Sequence, residues 1–402
     1  MKRGALKELR GASRLAIDAT ERVTSVVESM HQTIASGPAV LGRPFEVPAR
    51  IMTKLAYGSV RAVTRLVGAS IDGALATLDG ITPEGFASLP GPERAAVIAA
   101  LNGVLGDYLA ETDNALAIEM ALRHAGRDVA LESGQVDLSV PEPTTRLALL
   151  VHGSSMHDGQ WTQQGHDHGA ALARDLGLTP IYALYNSGLH VSTNGRKLAD
   201  LVERLVAAWP VAVEEITIVG HSMGGLVARS ACFYAEGSAA TWRHKLRRLV
   251  CIGTPHHGAA LERAGNLVEP LLGVSRYSEP LSRLGRLRSA GVTDLRYGSV
   301  LDQDWQWRDR FAIDGDVREA LALPEGVKCC AVAGTTAKAS QRRLPGDGLV
   351  AVDSALGRHA DPGRRLAFDE PHTFIAYGTG HIALLASRDV YDKLRAWVAD
   401  EA

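Results

Sequence analysis

Short strand-like segments alternate with helix-like segments from about residue 127 to the end of this 402-residue chain. The helix-like segments include 194–208 and 388–400, which carry apolar residues at helical spacing. Such alternation is typical of βαβ units, whose strands form a mostly parallel sheet. The sequence therefore predicts an α/β fold with a mostly parallel central sheet, built from strands in the segments 146–153, 180–186, 216–220, 248–255, 327–334 and 364–370.

Two long regions depart from this alternation. Residues 1–125 have helical patterns throughout, and we interpret them as a helical N-terminal extension packed on a catalytic domain of residues 126–402. That domain is predicted to open with a short hairpin at 127–140, and its segment 258–323 has no strand pattern. An insertion of that length in a compact domain is more often a lid than a structureless loop, so we predict a helical cap. The candidate helices of the extension are 4–35, 48–79 and 91–110.

Ser222 stands between two glycines where a strand pattern becomes a helix pattern, in the stretch ITIVGHSMGGLVARS of residues 216–230. A serine in a sharp strand-to-helix turn takes a strained conformation that exposes its hydroxyl. Glycines two residues before and after it allow the strand and the helix to approach closely. We therefore interpret Ser222 as a nucleophile. The alternative is an ordinary βα turn that contains the same pattern.

A serine nucleophile needs a base that is oriented by an acid, and Asp347 is the preferred candidate for the acid. It lies between two glycines beyond the predicted strand 327–334, where a tight turn lets a carboxylate project from the end of the strand. Asp353 follows six residues later and is the alternative, although it could instead begin a helix as its N-cap.

His381 is the preferred candidate for the base. It follows a Gly-Thr-Gly turn and precedes the terminal helical pattern, so the chain presents nucleophile, acid and base in that order. His359 and His372 are nearby competitors, but neither leads into a helix after a glycine turn.

The oxyanion of an acyl-transfer reaction needs hydrogen-bond donors, and two backbone N–H groups are predicted to supply them. Ser154 follows the strand 146–153, and Met223 follows the nucleophile. Only backbone donors are needed, so the identity of these side chains matters little. We interpret His152, which precedes this loop, as a structural residue rather than a catalyst.

Composition narrows the classes of partner. The formal net charge of −2 argues against a nucleic acid, and the four cysteines have no C-x-x-C spacing. The sequence contains no run of 18 apolar residues, so no membrane span is predicted. Charged residues interrupt the N-terminus where a signal peptide would be apolar. We expect a cytoplasmic protein. Lys54, Arg61 and Arg65 form a basic helical face. The preferred interpretation is that the apolar side of this helix packs on the catalytic body and the basic face is solvated; weak peripheral contact of the basic face with an anionic membrane is the alternative.

Five segments together resemble the α/β-hydrolase superfamily: LLVHG, VGHSMGGLVAR, IGTPHHG, GDGLV and GTGHIALL. They are most similar to bacterial triacylglycerol lipases and esterases and to the GPI inositol-deacylase-like lipase group. The resemblance covers about 145–400 and implies a Ser-His-Asp triad of Ser222, His381 and Asp347, with Ser154 and Met223 at the oxyanion hole. It also implies that His256 and His257 border the site as structural residues.

One departure from the resemblance concerns calcium. Some bacterial lipases carry an aspartate two residues after the catalytic histidine, and this chain has Ala383 there. No metal and no cofactor are therefore predicted.

The sequence thus predicts a serine hydrolase that cleaves small-molecule or lipid carboxylic esters through an acyl-enzyme. An acyltransferase or thioesterase would use the same intermediate. The sequence does not separate these classes, because the pocket determines which second nucleophile attacks the acyl-enzyme. A non-catalytic binding protein on a hydrolase scaffold is the third class, because fold alone does not fix function.

Overall fold

The computed structural model describes residues 91–131, 143–259, 289–309, 315–341 and 344–400. Eight strands in these residues form one sheet. They are β1 (Ala121–His124), β2 (Arg127–Asp128), β3 (Arg146–Val151), β4 (Thr179–Leu184), β5 (Glu215–His221), β6 (Leu246–Ile252), β7 (Lys328–Thr335) and β8 (Thr373–Tyr377). Their order across the sheet is β2-β1-β4-β3-β5-β6-β7-β8.

The sheet is parallel from β4 to β8, and only β1 and β2 at one edge run antiparallel to their neighbours. The predicted mostly parallel sheet is therefore confirmed. In the register of the central strands, Val151 at the end of β3 pairs with Gly220 of β5, which in turn pairs with Cys251 of β6. The loops that follow β3, β5 and β6 consequently leave the sheet side by side, where open parallel sheets hold their ligands.

Helices cover both faces of the sheet. Among the described residues these are α1 (Gly91–Glu111), α2 (His168–Leu176), α3 (Val191–Ala208), α4 (Met223–Gly237), α5 (Ala290–Asp294), α6 (Val352–Ala355) and α7 (Arg388–Ala399). Local chemistry explains several of their ends. The side chain of Asp167 caps α2 by accepting from Ala170 N, and Gly177 ends this helix with φ 70°.

Two apolar clusters fill the space between sheet and helices. On one face, Leu147 and Leu149 of β3 pack in a cluster that includes residues of α3 and α4. On the other face, Leu150 of β3 packs in a cluster that includes residues of α2 and α7. Because each side chain from Leu147 to Val151 belongs to one cluster or the other, this part of β3 is a continuous apolar run, as is typical of a buried parallel strand.

The N-terminal region contains one confirmed prediction and one error. The helix predicted at 91–110 is confirmed as α1. The prediction of helix as far as residue 125 is wrong for Ala121–His124, which form β1. Positive φ angles at Ala125 and Gly126 turn the chain into β2, and β1 pairs with β4 at the edge of the sheet. The pairing with the sheet overrides weak local propensity.

The final predicted strand at 364–370 is also wrong, because β8 begins later, at Thr373. The arginines that open the predicted segment contact loops instead. Arg364 donates to the main-chain oxygens of Arg318 and Asp316, and Arg365 donates to His359 O. Aromatic and β-branched residues after Pro371 supply the strand.

Several predictions fall wholly or partly outside the described residues. These are the helices at 4–35 and 48–79, the basic face with Lys54, Arg61 and Arg65, most of the hairpin at 127–140, and the cap positions 260–288 and 310–314. In the described part of the segment 258–323, α5 and a 3₁₀ turn at Asp302–Asp304 are helical. The domain boundary and the cap therefore remain predictions.

Candidate active site

Ser222 occupies a sharp corner between a strand and a helix. It follows the last residue of β5 and precedes the first residue of α4, with φ 54° and ψ −124°. This conformation is rare for a residue with a side chain and costs about 1–3 kcal/mol, so the surrounding structure must enforce it. Ser222 N donates to Ile252 O of β6 at 2.8 Å, and Gly225 N donates to Ser222 O at 3.1 Å.

The two glycines of this corner are needed because backbone segments meet there. A Cβ on Gly220 would lie 2.5 Å from Gly225 N, and a Cβ on Gly224 would lie 2.0 Å from Val151 O. Neither glycine has a positive φ. Their role is therefore the close approach of α4 to β5 and β3, as the sequence pattern indicates.

Asp347 and His381 form a buried pair in two loops at the same edge of the sheet. Asp347 Oδ2 lies 2.7 Å from His381 Nδ1. The main-chain N–H groups of Leu349 and Val350 donate to Asp347 Oδ1 at 3.0 and 2.8 Å. A carboxylate that accepts these bonds can only accept from His381 as well, so Nδ1 of the imidazole carries a hydrogen and, in the neutral ring, Nε2 is the nitrogen with the lone pair.

The rival acid and bases lie elsewhere. Asp353 is in the first turn of α6, its side chain is 75% exposed, and it pairs with Arg358 at 3.5 Å. His359 packs against His257, with ring centroids 4.8 Å apart, and His372 faces Asp369. Asp347 and His381 are therefore the candidates that the structure brings together.

Ser222 and His381 line the same small cavity. Ser154 lines it too, and a Cβ on the preceding Gly153 would lie 3.1 Å from Ser222 Cβ. The loop after β3 is thus in contact distance of Ser222. Met223 is the first residue of α4, so its N–H is one of those with no acceptor inside the helix and adds to the positive end of the helix dipole.

His152 has contacts that suit a structural residue. Its ring stacks on Tyr185 with centroids 4.2 Å apart, and its Nδ1 donates to Gly153 O at 2.8 Å. Burial lowers the pKa of His152 to about 4, so the imidazole is neutral at pH 7.

His256 and His257 are buried beside two arginines. Arg318 donates to the main-chain oxygen of His256 at 2.9 Å, and Arg229 lies 3.4 Å from His256 Nδ1. Arg229 also donates to Leu321 O at 2.6 Å, and burial lowers its pKa to about 10. This cluster ties the segment after residue 315 to α4.

Sequence reasoning did not single out His221, which precedes the nucleophile. Its Nε2 lies 3.2 Å from His381 O, and the two rings are 4.8 Å apart. The signal that could have found it is its place at the end of β5, next to Ser222. Its contact with His381 could not be predicted, because it depends on how a loop 160 residues away folds.

A family model described as the PGAP1-like alpha/beta domain matches residues 184–315. Those residues include β5, Ser222 and α4, the strand, corner and helix described above. The chain has the α/β-hydrolase fold. No curated protein sequence is significantly similar to this α/β-hydrolase-fold chain.

Solved structures similar to this α/β-hydrolase-fold chain include lipases and esterases. The mature lipase BlEst2 of Bacillus licheniformis is 18% identical, with 64% of this chain and 95% of that chain covered and a TM-score of 0.40. The product of the Listeria innocua gene lin2722 is 15% identical over 64% and 94%, with a TM-score of 0.37. A hyperthermophilic esterase from the archaeon Pyrobaculum calidifontis is 14% identical over 64% and 75%, with a TM-score of 0.39.

Within the described ranges, no three His, Cys, Asp or Glu side chains come together as a metal site. None of the helices in these ranges is long and apolar enough to cross a membrane.

Proposed function

We propose that this protein is a serine hydrolase that cleaves carboxylic esters through an acyl-enzyme. The observation that carries the proposal is the 2.7 Å contact between Asp347 and His381. His381 and the strained Ser222 line the same cavity. This arrangement supplies a base in the tautomer that a serine nucleophile requires.

In the first half of the reaction, Ser222 Oγ attacks the carbonyl carbon of the ester while His381 Nε2 takes the hydroxyl proton. The negative oxygen of the tetrahedral intermediate accepts hydrogen bonds from the N–H groups of Ser154 and Met223. The intermediate collapses, the C–O bond to the alcohol breaks, and His381 returns the proton to the leaving alkoxide.

In the second half, water attacks the acyl-enzyme, with its proton passing to His381 Nε2. The carbonyl carbon releases Ser222 Oγ, which takes the proton back, and the carboxylic acid leaves. Throughout both halves Asp347 stays ionised and stabilises the imidazolium. Its two backbone hydrogen bonds hold the carboxylate in place for this role.

The proposed substrates are small-molecule or lipid esters. A cap formed by 258–323 would line the acyl pocket, and the apolar positions Leu271 and Leu284 would contact the acyl chain. Weak peripheral contact with an anionic membrane through Lys54, Arg61 and Arg65 would bring a lipid substrate near. Each buried methylene contributes roughly 0.8 kcal/mol, so a pocket of this kind would discriminate chain length severalfold per carbon.

Two measurements test the proposal. The protein is incubated with a fluorophosphonate probe, and the labelled peptide is identified by mass spectrometry. It is then assayed with p-nitrophenyl esters of increasing chain length. We expect one label, on Ser222, and hydrolysis that the label abolishes. A purified, folded protein that is not labelled and hydrolyses no ester would contradict the proposal. Product analysis with an added alcohol separates a hydrolase from an acyltransferase.

A further inference from the structure

We infer that His221 is a positioning residue, which holds the base and the nucleophile at a fixed separation through one hydrogen bond. The inference rests on the proposed function, because it assigns His221 a task in the same site. Its observation is the contact of His221 Nε2 with His381 O at 3.2 Å, between two elements that are 160 residues apart in the chain.

The hydrogen bond fixes the protonation of His221. A carbonyl oxygen can only accept, so Nε2 of His221 must carry the hydrogen and Nδ1 must hold a lone pair. The residue is fully buried, and burial lowers its pKa well below the usual value, with His381 lowering it further. His221 is therefore a neutral donor in one tautomer, and it does not compete with His381 for the proton of Ser222.

The covalent structure turns this bond into a distance restraint. His221 is bonded directly to Ser222, and the carbonyl it contacts belongs to His381 itself. The ring of His221 also lies against the ring of His381, with centroids 4.8 Å apart and planes tilted by 45°. Both side chains line the cavity that contains Ser222.

Asp347 contacts the ring nitrogen and the main-chain nitrogen of His381, whereas His221 contacts its carbonyl oxygen. The carboxylate of Asp347 accepts from His381 Nδ1, and the main-chain oxygen of Asp347 accepts from His381 N at 3.0 Å. These contacts connect the base to the acid but not to β5. The bond from His221 connects the base to the strand that carries the nucleophile. Since a misplacement of about 1 Å can cost on the order of 10²-fold in rate, this connection matters for turnover.

The test compares His221→Leu with His221→Gln. Leucine cannot donate to His381 O, whereas the amide nitrogen of glutamine can reach a similar position and donate. We expect His221→Leu to lower kcat on a p-nitrophenyl ester by about 10²-fold with little change in KM, and His221→Gln to recover most of it. Rates are normalised to the fraction of protein that a fluorophosphonate labels.

His168→Leu is the matched control. His168 is also buried and also donates to a carbonyl of the turn after the base, at Leu384 O, but its ring contacts His166 and Tyr391 instead of His381. We expect its kcat to stay within about threefold of the wild type while its melting temperature falls like that of His221→Leu. Equal losses of kcat in the two leucine variants, or wild-type kcat in His221→Leu, would overturn the inference.

A readout without turnover separates this inference from the proposed function. The proton between His381 Nδ1 and Asp347 should give a downfield NMR resonance, which we expect to broaden or shift in His221→Leu and to persist in His221→Gln. An unchanged resonance in both variants would refute the positioning role even in a protein that hydrolyses no ester. A wild type that is not labelled at Ser222 would instead refute the hydrolase.

Discussion

The corner that carries Ser222 and the two loops that carry Asp347 and His381 are built in different ways. The corner lies within six consecutive residues, from Gly220 to Gly225, and its contacts are backbone to backbone. Asp347 and His381 lie 34 residues apart and meet through one side-chain and one main-chain hydrogen bond. The first region is specified by a local pattern, and the second depends on the sheet bringing two loops to one edge.

The glycines of the two regions make the same contrast. Gly224 is needed because a Cβ would lie 2.0 Å from Val151 O, a contact between elements that the fold packs together. Gly348, beside Asp347, has φ 100° and open space around its Cβ position. Gly224 is required for close packing, whereas Gly348 is required for the backbone angle of a turn. Glycine is therefore needed at the two positions for different physical reasons.

Ser222→Ala is expected to have the largest effect, because it removes the nucleophile and leaves the corner in place. We expect kcat on p-nitrophenyl esters to fall by on the order of 10⁴ or more, with the free energy of unfolding nearly unchanged. Ser238→Ala at the other end of α4 is the control and should keep wild-type kcat. If purified Ser222→Ala turned over esters at a rate comparable to the wild type, Ser222 would not be the nucleophile.

Asp347→Asn tests the second region. The amide cannot hold His381 in the required tautomer or stabilise the imidazolium, so we expect a loss in kcat of about 10³–10⁴-fold. Asp353→Asn changes an exposed carboxylate and should stay within about twofold in kcat. If the two variants behave the other way round, the acid is Asp353 and the 2.7 Å contact has another purpose.

Gly224→Ala and Gly348→Ala compare the two kinds of glycine by denaturant unfolding. At Gly224 a methyl group must displace backbone, and we expect a loss of about 3 kcal/mol in the free energy of unfolding. At Gly348 only the positive φ is penalised, and we expect about 1–2 kcal/mol.

Gly237→Ala is the control for both glycine variants, since it lies in α4 with nothing within 4 Å of its Cβ position. It should be neutral or stabilising by about 0.5–1 kcal/mol. Equal losses of unfolding free energy in Gly224→Ala and Gly348→Ala would mean that the close packing at Gly224 disfavours a side chain no more than the positive φ at Gly348 does.

Lowering the pH is expected to reduce the free energy of unfolding, in part through His168. Burial, followed by the charge of His166, lowers the pKa of His168 to about 4. The unfolded chain binds this proton below about pH 6.5 and the native state does not. Its contribution to stability is therefore complete above pH 6.5 and declines as the pH falls towards 4, by up to roughly 1.4 kcal/mol per pH unit.

The measurement is the free energy of unfolding against pH for the wild type and His168→Leu. We expect a shallower slope in the variant between pH 6.5 and 4. Parallel slopes in the two proteins would mean that His168 is protonated in the native state as readily as in the unfolded chain.

The two errors in the sequence-based prediction have different causes. β1 was missed because it depends on its pairing with β4, and Ala121–His124 carry little β propensity of their own. β8 was placed too early, at 364–370, although the aromatic and β-branched residues that form it follow Pro371. The buried strands β3, β5, β6 and β7 were located because burial on both faces demands a continuous apolar run that can be read directly.

The sequence by itself determined the corner. The strand before Ser222, the two glycines and the helix after it are adjacent in the chain, so a local pattern identifies them, and the hydrogen bond from Ser222 N to Ile252 O helps to hold the strained conformation. Tertiary structure decided which acid and which histidine meet, and that His221 reaches the carbonyl of His381. These contacts span 34 and 160 residues, and their geometry follows from the register of parallel strands, which no local pattern encodes.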